Sequence, residues 1–210
     1  MENDNWKLNG RKSFVINGDS ADKVIVSARI DGEINDKNGV GLFLVDNNQI
    51  KNRSYNTIDG YRAAELNFEN IEAELLCKND LALECIIKTN SAGALALSAE
   101  AIGIMQVCFE LTLDYLKTRK QFGKSIGAFQ SIQHRMVDMM LEIEQVRSAV
   151  MLASSTFETN SSTRDKNISA AKNLVGRVGK LIAEESIQLH GGIAMTWEYS
   201  VAHYAKRLIM

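Results

Sequence analysis

Residues 118–130 read TRKQFGKSIGAFQ, with Arg119, Lys120 and Lys124 interleaved among Phe122, Phe129 and two glycines. Two chemistries suit these cations. At a helix end, positive side chains interact favourably with the macrodipole and can hydrogen-bond the last carbonyls. The alternative is that Arg119 holds a pyrophosphate or carboxylate, because its planar fork donates paired hydrogen bonds where a lysine offers only a point charge. On either reading, Phe122 and Phe129 are expected to anchor the segment against a core.

A second unusual stretch is QLHGG at 188–192. Gly191 suits a helix terminus, and the pair Gly191 and Gly192 also lets another backbone or a flat ligand approach closely. His190 alone reads as a capping or packing group. His134 and His203 lack partners at metal-ligand spacing, so no metal is expected. Serine nucleophile elbows, P-loops and GxGxxG are all missing from the sequence. Cys77, Cys85 and Cys108 are too few and too irregularly spaced for a disulfide framework or a zinc site. Their odd number fits a reducing compartment, with the cytoplasm as the default.

These residues need elements to hold them. From Trp6 to about Leu76 the apolar pattern has a period of two. Ala64, Leu66 and Phe68 alternate with Glu65, Asn67 and Glu69, and Val24, Val26, Ala28 and Ile30 share one face of KVIVSARI. GVGLFLVD reads the same way, as a more deeply buried strand. After Cys77 the period becomes helical. One stripe runs Leu95, Ile102, Met105, Phe109, Leu113, Leu116. A second runs Ile132, Met136, Met139, Ile143, Val146, Val150, Ala153, and a third Ile168, Ala171, Val175, Val178, Ile182, Leu189. Ser162, three residues before Asp165, is the expected cap of the third helix. A short fourth helix is expected from near Trp197, turning Val201, Tyr204 and Leu208 inward. The fold class is therefore α+β: a partial antiparallel β-domain over 1–76, then an antiparallel four-helix bundle over 77–210.

Composition agrees. The 210 residues are 45% hydrophobic and 24% charged, as in an ordinary globular chain. A formal charge of −2 lacks the basic excess of a nucleic-acid binder. MENDNWKLNG has no apolar core of a signal peptide, and no run approaches the roughly 18 apolar residues of a membrane span, so none is expected.

Taken together, YLKTRKQFGKSIGAFQSIQHRMVDM at 115–139 and QLHGGIAMTWEYSVAHYAKR at 188–207 closely resemble the C-terminal helical domain of the acyl-CoA dehydrogenases. WKLNGRKSFVINGDSADKVIVSAR and TIDGYRAAELNFENIEAELL are similar to the later part of that family's middle β-domain. The resemblance implies FAD-dependent oxidation of an acyl-CoA to its trans-2-enoyl-CoA. It implies a homo-oligomer, or a heteromer with a related acyl-CoA dehydrogenase subunit, and allows electron-transfer flavoprotein as a partner, while the sequence does not identify the electron acceptor. Carried over by position, Arg119 would face the FAD pyrophosphate of a neighbouring subunit, with Gln121 and Phe122 beside it and Gln130 near the adenosine. Gln188, Leu189, His190, Gly191 and Gly192 would line the dinucleotide across the same interface. Phe14, Val15 and Ile16 would back the isoalloxazine ring.

The departures from the family pattern are equally specific. Members run to nearly twice this length, and the earlier β-strands and the amino-terminal helical domain are not in these residues. The usual glutamate base of one branch lies beyond Met210, and the base position of another is Gly93, so the catalytic residue is unknown. Glu100, seven residues on, lies about 10 Å further along the helix and is expected to be structural. Ile16 replaces a threonine that hydrogen-bonds flavin N5 in many members. Ser91, Gly93 and Ala94 suggest room for a bulky acyl group. The alternatives are a non-catalytic helical assembly subunit and a flavin monooxygenase of the same fold.

Overall fold

The structure, a computed structural model, describes residues 6–210; the first five residues of the expected β-domain lie outside that range. The chain forms two compact units, divided between Thr89 and Asn90.

In the first unit the strands are β1 (Trp6–Ile16), β2 (Lys23–Arg29), β3 (Val40–Asp46), β4 (Lys51–Asn56) and β5 (Arg62–Lys78). The sheet order is β1-β5-β3-β2, with β4 also on β5, and every pairing is antiparallel. The long β5 pairs with β1 and β4 early and with β3 at its end, so one bent strand organises the sheet. Leu8, Val26, Phe43, Val45, Ile50, Leu66 and Phe68 form the core. The period-two expectation holds for β5 and β2, where Ile25 is exposed between inward Val24 and Val26. It holds for β3 as well: Gly41, Phe43 and Val45 are buried and alternate with half-buried Val40, Leu42 and Leu44, so β3 is more deeply buried than β2, as expected.

Arg29 organises the loop after β2. Its guanidinium donates to the carbonyls of Asp31, Ile34, Asp36 and Asn38 at 2.8–3.1 Å. Gly39 closes the loop at φ +83°, where a Cβ would lie 2.1 Å from the Asp31 carbonyl oxygen.

The helices are α1 (Asn79–Thr118), α2 (Gln130–Ser155), α3 (Ser161–His190) and α4 (Ser200–Ile209), with a 3₁₀ turn at Gly191–Met195. Met105, Cys108 and Leu116 of α1 meet the expected stripes of α2 and α3 in one core. Leu95, Ile102, Phe109 and Leu113 pack against it half-buried. Burial pushes the Cys108 thiol up to about 12, against a smaller opposing effect of the Ser186 hydroxyl. That hydroxyl has no hydrogen bond of regular geometry, so its contact with the sulfur is weak.

Three expectations are corrected. α3 is capped by Asn160, whose side chain accepts from the Thr163 N–H at 3.0 Å, and Ser162 lies inside the first turn. α4 begins at Ser200; Val201 is buried and Leu208 packs on the core as expected, but Ala205 rather than Tyr204 is the buried residue between them, since the third and fourth positions after Val201 both lie on its face. α1 contains an 18-residue window of mean hydropathy 1.6, long and apolar enough by length and composition to cross a membrane. Ser91, Gly93, Ser98 and Gly103 interrupt its apolar residues, so no unbroken apolar run of that length stands out in the sequence. α1 is nonetheless a bundle member: Arg207 of α4 grips Glu100 through Nε and Nη2 at 2.8 and 2.9 Å. Glu100 is structural, as expected.

Candidate functional site

Between α1 and α2 the chain makes a small hairpin, β6 (Lys120–Gln121) against β7 (Lys124–Ser125). Its two turn residues are Phe122 at φ +53° and Gly123 at φ +78°. Two left-handed residues match the right-handed strand twist, and glycine takes that conformation freely. A phenylalanine does so under strain. Phe122 is also 89% exposed, which corrects its expected role as a core anchor. A two-residue hairpin tip projects away from the helices that carry it. Ile126 and Ile132 pack the segment against the bundle core, while half-buried Phe129 has Phe122 edge-on at 6.2 Å and the Lys124 ammonium 4.1 Å from its ring centre.

The last carbonyls of α1 are taken by the Thr118 hydroxyl and the Arg119 N–H. The Ile126 N–H returns to the Arg119 carbonyl at 2.9 Å and closes the elbow. Those bonds use main-chain and hydroxyl groups, and the Arg119 side chain stands exposed beside Lys120 and Gln121. Gln130, the first residue of α2, is exposed as well.

At the end of α3, Gly191 adopts φ +69° and its N–H bonds the Ile187 and Gln188 carbonyls. Gln188, Gly191 and Gly192 face outward, and a Cβ at either glycine would meet no atom within 4 Å. Leu189 and His190 turn their side chains into the core. His190 stacks on Tyr115 at 4.6 Å and meets the edge of Tyr199 at 5.1 Å. Its Nδ1–H donates to the Ser186 carbonyl at 2.7 Å, since a carbonyl can only accept. Nε2 is buried without a regular hydrogen bond. Burial pushes the His190 pKa below its ordinary 6.5, against the pull of the Ser186 and Leu111 carbonyls. The ring is thus a neutral packing group. It draws Tyr115, one turn before Arg119, against the end of α3, so the root of the elbow and the paired-glycine turn share one stack. Nothing in the spacing of Tyr115 and Tyr199 distinguishes them in the sequence from ordinary core aromatics.

In the β unit, Phe14 lies at φ +54° where the β1–β5 register shifts between Lys12 and Val15. Phe14 and Ile16 are exposed and Val15 is half-buried. Behind them, Glu65 accepts from Arg11 Nε and Nη2 at 3.0 and 2.6 Å and from the Tyr55 hydroxyl at 3.1 Å. Tyr55 also flanks the Phe14 ring at 6.5 Å. Hydrogen bonds from Arg11 foremost hold the Glu65 pKa down at about 2, against an ordinary 4.5. A carboxylate with a depressed folded pKa stabilises fully above its unfolded value and loses that contribution as the proton returns. Glu65 should therefore support β1 above about pH 4.5 and release it as the pH falls toward about 2. Urea unfolding of the Glu65→Gln variant across that range should show a shallower acid limb than the parent; parallel limbs would remove Glu65 as its source.

Gly93 is exposed on α1, with nothing within 4 Å of a Cβ placed there. Ser91 donates to Asp165 Oδ1 at 3.0 Å and Ala94 packs on the bundle core, so of these three small residues only Gly93 is open. Met210 follows α4. No group of three or more metal-binding side chains occurs among the described residues.

Comparison with known proteins gives these features a family. Residues 83–208 match the model for the acyl-CoA dehydrogenase C-terminal domain, and residues 1–71 match the one for the middle domain. The mouse long-chain specific acyl-CoA dehydrogenase is 32% identical over 207 residues, covering 94% of this chain and 48% of that protein. The acyl-CoA dehydrogenase IpdE2 of Mycobacterium tuberculosis is 39% identical over 114 residues, covering 54% of this chain and 34% of that one. A solved variant of the Tcur3481-Tcur3483 steroid ACAD superposes with a TM-score of 0.85 at 29% identity, covering 100% of this chain and 55% of its own. The chain thus spans about half the length of these relatives or less. On the sequence of both units and on their folds, it belongs to the acyl-CoA dehydrogenase family, within that family's middle and C-terminal domains.

Proposed function

We propose that the chain contributes part of an FAD site, and an oligomer interface, to the α,β-dehydrogenation of an acyl-CoA thioester. One observation carries this reading: a strained, exposed phenylalanine at a hairpin tip beside an exposed arginine fork. Such backbone strain persists where the surroundings over-determine it, commonly at ligand clamps.

The residues present fit an anionic dinucleotide. Arg119 would pair with a pyrophosphate carried at a neighbouring subunit, and Gln121 and Gln130 would supply amide donors on either side of the elbow. Phe122 would offer its ring face to the adenosine end. Gln188, Gly191 and Gly192 would admit the dinucleotide closely, since no side chain fills the space over the glycines. Leu189 and His190 would hold that turn from beneath. Phe14 and Ile16 would back the isoalloxazine, with Val15 fixing their strand. When bound, FAD supplies the hydride acceptor. What this chain adds is charge neutralisation, orientation and exclusion of water.

In this scheme residues 1–76 act as the β module and 77–210 as the helical one. The partners are an acyl-CoA, further copies or a related dehydrogenase subunit, and electron-transfer flavoprotein. Three free thiols suit the cytoplasm. Purified protein should carry the visible flavin absorption band, alone or with a related subunit; a colourless protein under both conditions would overturn the reading.

The strain at Phe122 makes a two-signed prediction. Phe122→Asn, which tolerates a left-handed backbone, should raise stability by up to about 1 kcal/mol. The same change removes the ring and should weaken FAD binding. Thermal unfolding and fluorescence titration read the two signs separately, and a variant that gains stability with unchanged affinity would sever Phe122 from the flavin.

A further inference from the structure

Two of the three thiols flank the junction of β5 and α1, and the fold brings them together. Along the end of β5, Ile71, Ala73, Leu75 and Cys77 are half-buried and alternate with exposed residues, so Cys77 continues the strand's inner face. Ile71, Ala73 and Leu75 pack on the β core. β3 holds this end of the strand, with Cys77 opposite Leu42, Leu75 opposite Phe43 and Leu76 left between the two pairings. The strand stops at Lys78, and Asn79, at φ +60°, turns the chain directly into α1. Asparagine tolerates that left-handed conformation better than most residues. In the first turns of α1, buried Ala82 and half-buried Cys85 and Ile86 follow the spacing of one helix face. The two inner faces meet there: the Cys77 and Cys85 thiols lie within hydrogen-bonding reach of each other. Both belong to the β unit, whereas Cys108 is buried in the bundle core.

We propose that Cys77 and Cys85 form a reversible oxidation site, which hydrogen peroxide converts to an intrachain disulfide tying the first turns of α1 to the end of β5. The Cys85 sulfur attacks one peroxide oxygen: an S–O bond forms, the O–O bond breaks, and the departing hydroxide takes the thiol proton and leaves as water. The Cys77 sulfur then attacks the sulfenic sulfur of Cys85. The S–S bond forms, the S–O bond breaks, and the released hydroxide leaves as water with the Cys77 proton. Peroxide is thereby reduced to water and the dithiol is oxidised by one electron pair. The order of attack follows from the surroundings. Burial, and after it the neighbouring Cys85 thiol, pushes the Cys77 thiol above its ordinary 9.0, so Cys77 keeps its proton and resolves rather than attacks. In a reducing compartment such a bond is transient, made under peroxide and reopened by thiols.

Trypsin reads the bond directly, because Lys78 stands between the two cysteines. The full chain, treated with stoichiometric hydrogen peroxide, alkylated in denaturant and digested, should yield residues 63–78 joined to 79–88, and a thiol reductant should part them. Cys108 should be recovered alkylated on 89–117. Cys77→Ser should leave a Cys85 sulfenic acid that dimedone traps, whereas Cys85→Ser should leave Cys77 alkylated. Hydrogen exchange over residues 83–88 should slow about tenfold in the oxidised protein, since the bond opposes opening of those turns. Recovery of Cys77 and Cys85 both alkylated, or of Cys85 as a sulfinic acid without the linked peptide, overturns the proposal. So does a bond to Cys108, a bond between chains carrying tags of different mass, or unchanged exchange in the linked protein. Equal dimedone labelling in the two serine variants overturns the order of attack. If a serine variant fails to fold, the wild-type digest decides.

Discussion

Replacing Arg119 by alanine is expected to weaken FAD binding by about 10²-fold while leaving the bundle folded. The magnitude comes from losing a charge-assisted, two-pronged contact with a pyrophosphate, about 3 kcal/mol for a desolvated pair. The lack of cost to the fold comes from placement. The terminus of α1 is closed by the Thr118 hydroxyl and by the Arg119 main chain, both of which survive the substitution. Thermal stability should therefore change by no more than about 0.5 kcal/mol, as for other exposed sites. Arg119→Lys keeps the charge and loses the fork, so it should fall between the two. Fluorescence titration of apoprotein with FAD, alongside thermal unfolding, separates binding from folding. A large stability loss with unchanged affinity would return Arg119 to the helix-end role that its position alone also allows.

The sequence carried the bundle well because the inner stripes of α2 and α3 are long and strictly periodic, and their burial depends on little beyond period. It carried the elbow as a cluster of types but misjudged its shape. Phe-Gly lacks the usual composition of a two-residue hairpin turn, and an apolar ring beside a helix end reads as buried until the backbone is seen to project it. His190 and Leu189 stand next to Gln188 and Gly191 in the chain, yet only the fold shows that the first pair faces the core. In α4 the third and fourth positions after Val201 both fall on its face, so spacing alone did not choose between Tyr204 and Ala205. The exposed apolar residues of α2, Val137, Met140, Leu141, Met151 and Leu152, are hidden in the sequence because, overlaid on the inner stripe, they look like general hydrophobicity.

Gly93→Glu is expected to give a dehydrogenase whose flavin is reduced by acyl-CoA at least 10²-fold faster than that of the parent. Two independent effects combine at this position. A glycine inside a helix costs up to about 1 kcal/mol relative to alanine, and a Cβ at Gly93 meets no atom within 4 Å, so glutamate there should slightly stabilise α1. The resemblance to one branch of the family makes this the position of the carboxylate that takes the substrate's α-proton, and a positioned general base contributes about 10²–10⁴-fold. Gly93→Gln shares the first effect and lacks the second, which makes it the control. Anaerobic mixing of each flavin-loaded protein with short and bulky acyl-CoA thioesters should show reduction rising with pH in the glutamate variant, as the carboxylate ionises. The glutamine variant should stay flat. Equal rates in the two variants, with flavin bound in both, would remove Gly93 from the substrate's neighbourhood. Because the control isolates the proton-accepting step from helix stability and from cofactor retention, that outcome would leave the Arg119 clamp standing and would place the base elsewhere than on this turn of α1.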